Sequence, residues 1–231
     1  MLCIGFPAQA FDTNCYVLAP GRGGEAIVVD PGIGVVEALD GLLRELELRP
    51  VAVLATHGHA DHVFSVTPVC GAHDVPALIH EADRYRLKDP VTSLGPELSG
   101  MLAANFGAWR EPDDVRTLAD GERLDLAGLT LRVTHAPGHT EGSMMFAVDG
   151  VPDQVTGADV ELTSTLLSGD VLFAGSIGRT DLPGGDHAAM QASLRERVLT
   201  RPDTELVLPG HGGATTIGHE RRSNPFLQSL G

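Results

Sequence analysis

Thr56-His57-Gly58-His59-Ala60-Asp61-His62 follows directly on the apolar run Val51-Ala52-Val53-Leu54-Ala55. A short apolar run with turn signals after it reads as a buried β-strand. Three imidazoles and one carboxylate therefore leave the end of one strand together. On a strand end turning into a helix, such side chains can converge on one point. Packed this closely, the imidazoles would repel one another if protonated, and a bound cation removes the conflict by requiring them neutral. Imidazole and carboxylate suit zinc and also accept iron or manganese. A solvated, His-rich turn is the ordinary reading of one histidine, but not of HxHxDH behind a buried strand.

Composition narrows the class. The 231 residues correspond to about one or two domains. No repeat, low-complexity segment or composition break divides them, so 1–231 reads as a single domain. Hydrophobic residues make up 42% of the chain, enough for a full core. The formal net charge is −15 with no block of Lys and Arg to offset it, so no nucleic-acid partner is expected. Cys3, Cys15 and Cys70 have no CxxC spacing and an odd total, which does not read as a disulfide framework. The segment MLCIGFPAQAF has no basic stretch and no long apolar stretch, so no signal peptide is expected. No apolar run is long enough to span a bilayer, and no membrane partner is expected. These readings together predict a cytoplasmic location.

Strands and helices alternate along the chain. Strands are predicted at 14–18, 25–29, 51–55, 76–79, 143–148 and 165–169, with a hairpin over 124–134 and a last strand at 205–208. Helical spacing covers 35–48, 61–70, 81–88 and 186–200. In 96–109 it places Leu98, Met101, Leu102, Phe106 and Trp109 on one face. The polar stretch 149–163 reads as a loop or insertion.

Three further segments follow in order: Ala136-Pro137-Gly138-His139-Thr140-Glu141-Gly142-Ser143, Ser168-Gly169-Asp170-Val171-Leu172-Phe173 and Pro209-Gly210-His211-Gly212. With the histidine segment they resemble the motifs of the metallo-β-lactamase superfamily over nearly the whole chain. The resemblance implies an α/β fold, a four-layer αβ/βα sandwich of two mixed sheets with helices outside. It implies that His57, His59 and His139 bind one metal and that Asp61, His62 and His211 bind a second. Asp170 would bridge the two. The implied cofactors are two divalent metal ions per chain, zinc being the expected metal and iron or manganese also suited. Three protein ligands and a bridge leave each cation open to water. Gly138, Gly169 and Gly210 each precede a ligand and are expected to make sharp turns that aim it.

Gly178-Arg179-Thr180-Asp181-Leu182-Pro183-Gly184-Gly185 and the segment 215–226 are similar to short glyoxalase II-like hydrolases, the hydroxyacylglutathione hydrolase-like proteins. That likeness implies hydrolysis of an acyl thioester, such as S-lactoylglutathione, by a metal-bridging hydroxide. The partner would be a small-molecule thioester. Asp61 and Asp170 would be the catalytic carboxylates, Asp61 also orienting the hydroxide. Arg179 either faces a substrate carboxylate or pairs with Asp181. The C-terminal helical domain through which longer glyoxalase II enzymes contact glutathione is not expected here, which leaves the thiol carrier open. The oligomeric state is open as well. His135 and Thr140 read as supports for a ligand, and His73, His80, His187 and His219 as surface or capping residues. Three alternatives stand beside this reading. One is a persulfide dioxygenase with a single iron on His57, His139 and Asp170. The others are a lactone or β-lactam hydrolase and a non-catalytic metal-binding protein.

Overall fold

The computed structural model describes residues 1–91, 94–155 and 161–230. Its first sheet has six strands in chain order: β1 (Leu2–Pro7), β2 (Asn14–Ala19), β3 (Glu25–Val29), β4 (Arg49–Leu54), β5 (Ala77–His80) and β6 (Val115–Leu118). The first three pair antiparallel, and β3 to β6 run parallel. The second sheet contains β7 (Arg123–Leu126), β8 (Leu129–His135), β9 (Met144–Asp149), β10 (Ser164–Gly169), β13 (Glu205–Pro209) and β14 (Thr215–Thr216). Their order in space is β14-β13-β10-β9-β8-β7, with only β10 and β13 parallel. A small hairpin, β11 (Leu172–Phe173) and β12 (Ser176–Ile177), follows β10.

Period-two alternation explains the layering. In β2, Tyr16 and Leu18 face the second sheet, while Cys15 and Val17 face the helices. Leu18, Ile27, Val29 and Leu54 of one sheet meet Leu131, Met144, Phe146 and Val148 of the other. Outside the first sheet, Val17, Val28 and Val53 pack on α1 (Val36–Leu46) and α3 (Val66–His73). Outside the second, Met145, Leu166 and Val207 pack on α5 (His187–Ser193), α6 (Ile217–Ser223) and α7 (Pro225–Gln228). The result is the expected αβ/βα arrangement of two mixed sheets with helices outside. Helix α1 shows how locally this is written. Leu39, Leu43 and Leu46 bury one stripe, and the helix stops where Glu47 turns left-handed (φ 55°).

Several expectations need correction. Strands β1, β6 and β14 were not predicted. β1 and β6 are edge strands, only partly buried, so their apolar alternation is weak. β14 makes 205–208 the penultimate strand. The helix expected over 61–70 is two, α2 (Ala60–Val63) and α3, split where Ser65 donates through N and Oγ to Pro31 O and Gly32 O. Residues 81–88 form a 3-10 helix. The 96–109 stripe is not one buried face: α4 (Pro96–Phe106) buries only Leu102, and Met101 is 54% exposed. Part of the 149–163 stretch, 156–160, lies outside the described residues.

Phe146 lies between the sheets and is fully buried. Phe146→Ala is expected to lower stability by about 3–5 kcal/mol. Urea denaturation checks this: the midpoint falls while the m-value is retained.

Candidate metal centre

The ends of four strands meet at one rim. Beyond β4 come Thr56 and His57, and then α2 with His59 at its N-terminal flank. Beyond β8 comes the loop with His139, beyond β10 Asp170, and beyond β13 His211. His57 Nε2, His59 Nδ1 and His139 Nε2 form a triangle with sides of 3.1, 2.9 and 3.2 Å. The other ring nitrogens decide what these atoms are. His139 Nδ1 donates to the carbonyl of Arg179 at 2.8 Å. Thr56 Oγ1 donates to Asp30 at 2.6 Å and so accepts from His57 Nδ1 at 3.1 Å. Each neutral ring has spent its one proton. His57 Nε2 and His139 Nε2 therefore face each other as lone pairs, an arrangement that favours a cation between them.

The second group is built the same way. His62 Nδ1 donates to Asp30 at 2.9 Å, which turns Nε2 toward Asp61 (3.5 Å) and Asp170 (3.3 Å). His211 Nε2 lies 3.2 Å from Asp61 and 3.6 Å from Asp170. Asp170 also reaches His139 Nε2 at 3.5 Å, so one carboxylate touches both groups. His62 Nε2 and Asp170 Oδ1 are buried and lack hydrogen-bond partners among the described residues. Orphaned buried polar atoms of this kind call for a ligand, and the donor set fits two divalent cations.

Burial, followed by the neighbouring imidazoles, holds His57 well below the ordinary histidine value of 6.5. The same causes push His59 down to about 3, and burial lowers His139 although Asp170 and the Arg179 carbonyl oppose it. Burial also opposes a charge on His62, but Asp170, Asp61 and Asp30 outweigh it and hold that ring well above 6.5. His211 is raised by Asp61 and Asp170 against its burial. Asp61 and Asp170 are lowered by the same partners despite burial, Asp61 also by the Thr13 hydroxyl at 2.8 Å. The first group is therefore neutral. In the second, protons occupy places suited to a cation.

Two carboxylates absent from the motifs hold this frame. Asp30, at the end of β3, accepts from Thr56 N, Thr56 Oγ1 and His62 Nδ1. Asp83 is fully buried and accepts from Gly58 N (2.8 Å), Gly142 N (2.9 Å) and Thr140 Oγ1 (2.8 Å). The Thr140 hydroxyl thus meets Asp83 and Ser143 rather than a candidate ligand. His135 hydrogen-bonds Glu141 O and stacks on His80. Sequence reasoning singled out neither Asp30 nor Asp83 as part of the site. An acidic residue directly after an apolar strand was the usable signal for Asp30. The last ligand loop is tied to β2: Thr13 bridges to His211, Asn14 N donates to Gly210 O, and Tyr16 Oη donates to Pro209 O.

The expected glycine turns hold at Gly138 and Gly169, both at positive φ. Gly210 has a different reason. A Cβ there would run into Asp170 Oδ1 and the His62 ring, so the bare backbone makes room for the ligands. The centre opens onto a cavity of about 560 Å³ with an apolar wall that includes Phe11, Phe173, Ile177 and Leu182. Arg179 lies on its rim, exposed, with its guanidinium forked onto Asp181 at 2.8 Å through two bonds.

The family described as the metallo-beta-lactamase superfamily matches residues 8–157. Hydroxyacylglutathione hydrolase GloC of Haemophilus influenzae is 35% identical over 224 residues and is covered, like this chain, to 96%. The crystal structure of BLEG-1 B3 metallo-beta-lactamase is 35% identical with a TM-score of 0.78, over 98% of this chain and 99% of that one. TTHA1623 in a di-iron-bound form is 36% identical with a TM-score of 0.76, over 97% and 100%.

Two outcomes are expected from this geometry. Asp30→Asn should weaken metal binding by about 10–100-fold, measured by competition with a chromophoric chelator. The second concerns pH. Below 6.5 the unfolded chain takes up protons at His57, His59 and His139 that the folded chain refuses, so stability falls with pH. His62 and His211, with raised values, stabilise fully below 6.5 and lose that contribution as pH rises. Melting of chelated protein should therefore peak near the ordinary histidine value and decline on both sides. Metal-loaded protein should keep its stability on the alkaline side, where cations replace the protons.

Proposed function

The chain belongs to the metallo-beta-lactamase superfamily, and on that premise we propose that it is a dinuclear metal-dependent hydrolase of acyl thioesters. One observation carries the proposal. Two groups of three residues, the first with ring lone pairs turned inward and the second with imidazoles facing carboxylates, meet at Asp170 and border an apolar-walled cavity. We assign one cation to His57, His59 and His139, a second to Asp61, His62 and His211, and the bridge to Asp170. Such ions supply Lewis acidity and lower the pKa of water toward neutrality.

The chain's own groups do the rest. Asp170 sets the spacing of the two groups. Asp61, held ionised by His62, His211 and Thr13, orients the attacking water. The carbonyl of Arg179 keeps the His139 proton on Nδ1. Phe173, Ile177 and Leu182 offer apolar contact to the acyl or thiol chain and exclude bulk water from it. Zinc is the proposed metal, and the di-iron relative makes iron the first alternative. The likeness to GloC supports a thioester as substrate, S-lactoylglutathione being the first to try.

We read residues 1–231 as one domain acting on a small molecule in the cytoplasm. No helix among the described residues is long and apolar enough to cross a membrane, and all three cysteines are buried thiols. A second reading, β-lactam hydrolysis, is favoured by the 35% identity to BLEG-1. A persulfide dioxygenase would use His57, His139 and Asp170 for a single iron and leave Asp61, His62 and His211 idle. The completeness of that second group speaks for the hydrolase.

Protein purified without chelator is expected to carry close to two metals per chain by elemental analysis. Chelation should abolish thioester cleavage, and zinc should restore it. His211→Ala should reduce the metal content toward one and lower kcat by at least about tenfold. A single iron per chain, with oxygen consumed in the presence of a persulfide, would sink the reading. Faster turnover of a β-lactam than of any thioester would replace it with the second.

A further inference from the structure

Arg86 is the other cation on the wall of the active-site cavity, and it is built in differently from Arg179. Its side chain is only 10% exposed, against 62% for Arg179. Three segments hold it. Nε donates to Asp83 at 3.2 Å, and Nη2 donates to Glu141 at 2.6 Å and to the Pro183 carbonyl at 2.8 Å. Its stem lies against the backbone of Gly58, where a Cβ would collide with Arg86 Cβ and Cδ. It is therefore fixed beside the His57–His59 segment, close enough that its charge helps to lower His59. Nη1 donates to no described residue, and Arg86 borders the same cavity as His59, His139 and Asp170.

A purely structural clamp would account for Nε and Nη2 but not for Nη1, which has no acceptor among the described residues on a side chain that borders the cavity. Asp83 and Glu141 both pair with the guanidinium, but Glu141 is 45% exposed and solvated. Asp83 is divided among several donors, Gly58 N, Gly142 N and Thr140 as well. A guanidinium that is nearly buried and already ordered binds an anion more strongly than an exposed one, because the local dielectric is low and little entropy remains to be lost. Arg179, exposed and forked onto Asp181, has neither advantage.

Resting on the thioester reading, we infer that Arg86 recognises a carboxylate of the substrate, making an acidic thioester the preferred class. Arg86 is a specificity residue: it touches the substrate away from the reacting carbonyl and acts through KM.

The test compares two thioesters with the same acyl group, one on a thiol that carries a carboxylate and one on its carboxamide counterpart. The metal-loaded wild type is expected to favour the carboxylate in kcat/KM by about 10–100-fold, the worth of one charge-assisted hydrogen bond. In Arg86→Met that ratio should fall to about one, with the loss in KM. In Arg86→Lys, which keeps the charge but not the fork, it should be intermediate. A preference that survives in Arg86→Met, with both substrates slowed alike, would make Arg86 a clamp and overturn the inference. So would a wild type without preference. The same ratio is read by calorimetry with a pair of non-hydrolysable thioethers, carboxylate and carboxamide. If no thioester is cleaved, the hydrolase reading fails, and the calorimetric ratio still decides for or against Arg86. If Arg86→Met does not fold, Arg86→Lys carries both measurements.

Discussion

The carboxylate of Asp83 joins the two halves of the rim. It accepts the N–H of Gly58, on the loop leaving the first sheet, and the N–H of Gly142, on the loop leaving β8 of the second. A buried carboxylate without partners would cost several kcal/mol. Donors from both loops and from Thr140 and Arg86 offset that cost, and only when both loops are in place. His59 and His139 can thus stand 2.9 Å apart although 80 residues separate them. Gly142 is small for the same reason, since a Cβ there would press on Asp83.

Around that joint the two ligand groups differ in charge. The first consists of imidazoles kept neutral chiefly by burial, with neighbouring imidazoles adding to it. The second mixes imidazoles with Asp61, and Asp30 stands behind His62. Asp170 belongs to both. A cation held by the first group would gain charge compensation from Asp170, whereas one held by the second would also have Asp61. The shared carboxylate therefore couples the two positions electrostatically, and a change at either is felt at the other.

Much of this was legible in the chain because its pieces are local. His57, His59, Asp61 and His62 fall within six residues, and the strand before them is a continuous apolar run. The strands that form the sandwich centre, such as β2, β3 and β10, are buried along nearly their whole length and announce themselves. What stayed hidden depends on distant partners. Asp83 looks like any charged residue of a polar helix until Thr140, 57 positions on, is brought to it. Arg86 has the same disguise. β1 and β6 lie at the sheet edges, where one side meets solvent and the apolar pattern thins. Gly210 resembled its fellow ligand-preceding glycines, but its smallness answers to Asp170 and His62 rather than to a left-handed turn.

The ties between β2 and the last ligand loop bear on how the chain is made. Thr13, Asn14 and Tyr16 wait for Pro209, Gly210 and His211, nearly the full chain length away. A ribosome delivers the N-terminal partners first, at roughly 5–20 residues per second. His57, His59 and His139 are all present well before His211 emerges. For that interval the second sheet lacks β13, beside which β10 must lie in parallel, and the strand edge of β10 is open. Pairings this distant are slow to form and leave such edges exposed. The nascent chain therefore carries an open β10 edge, prone to wrong association, until β13 has left the ribosome.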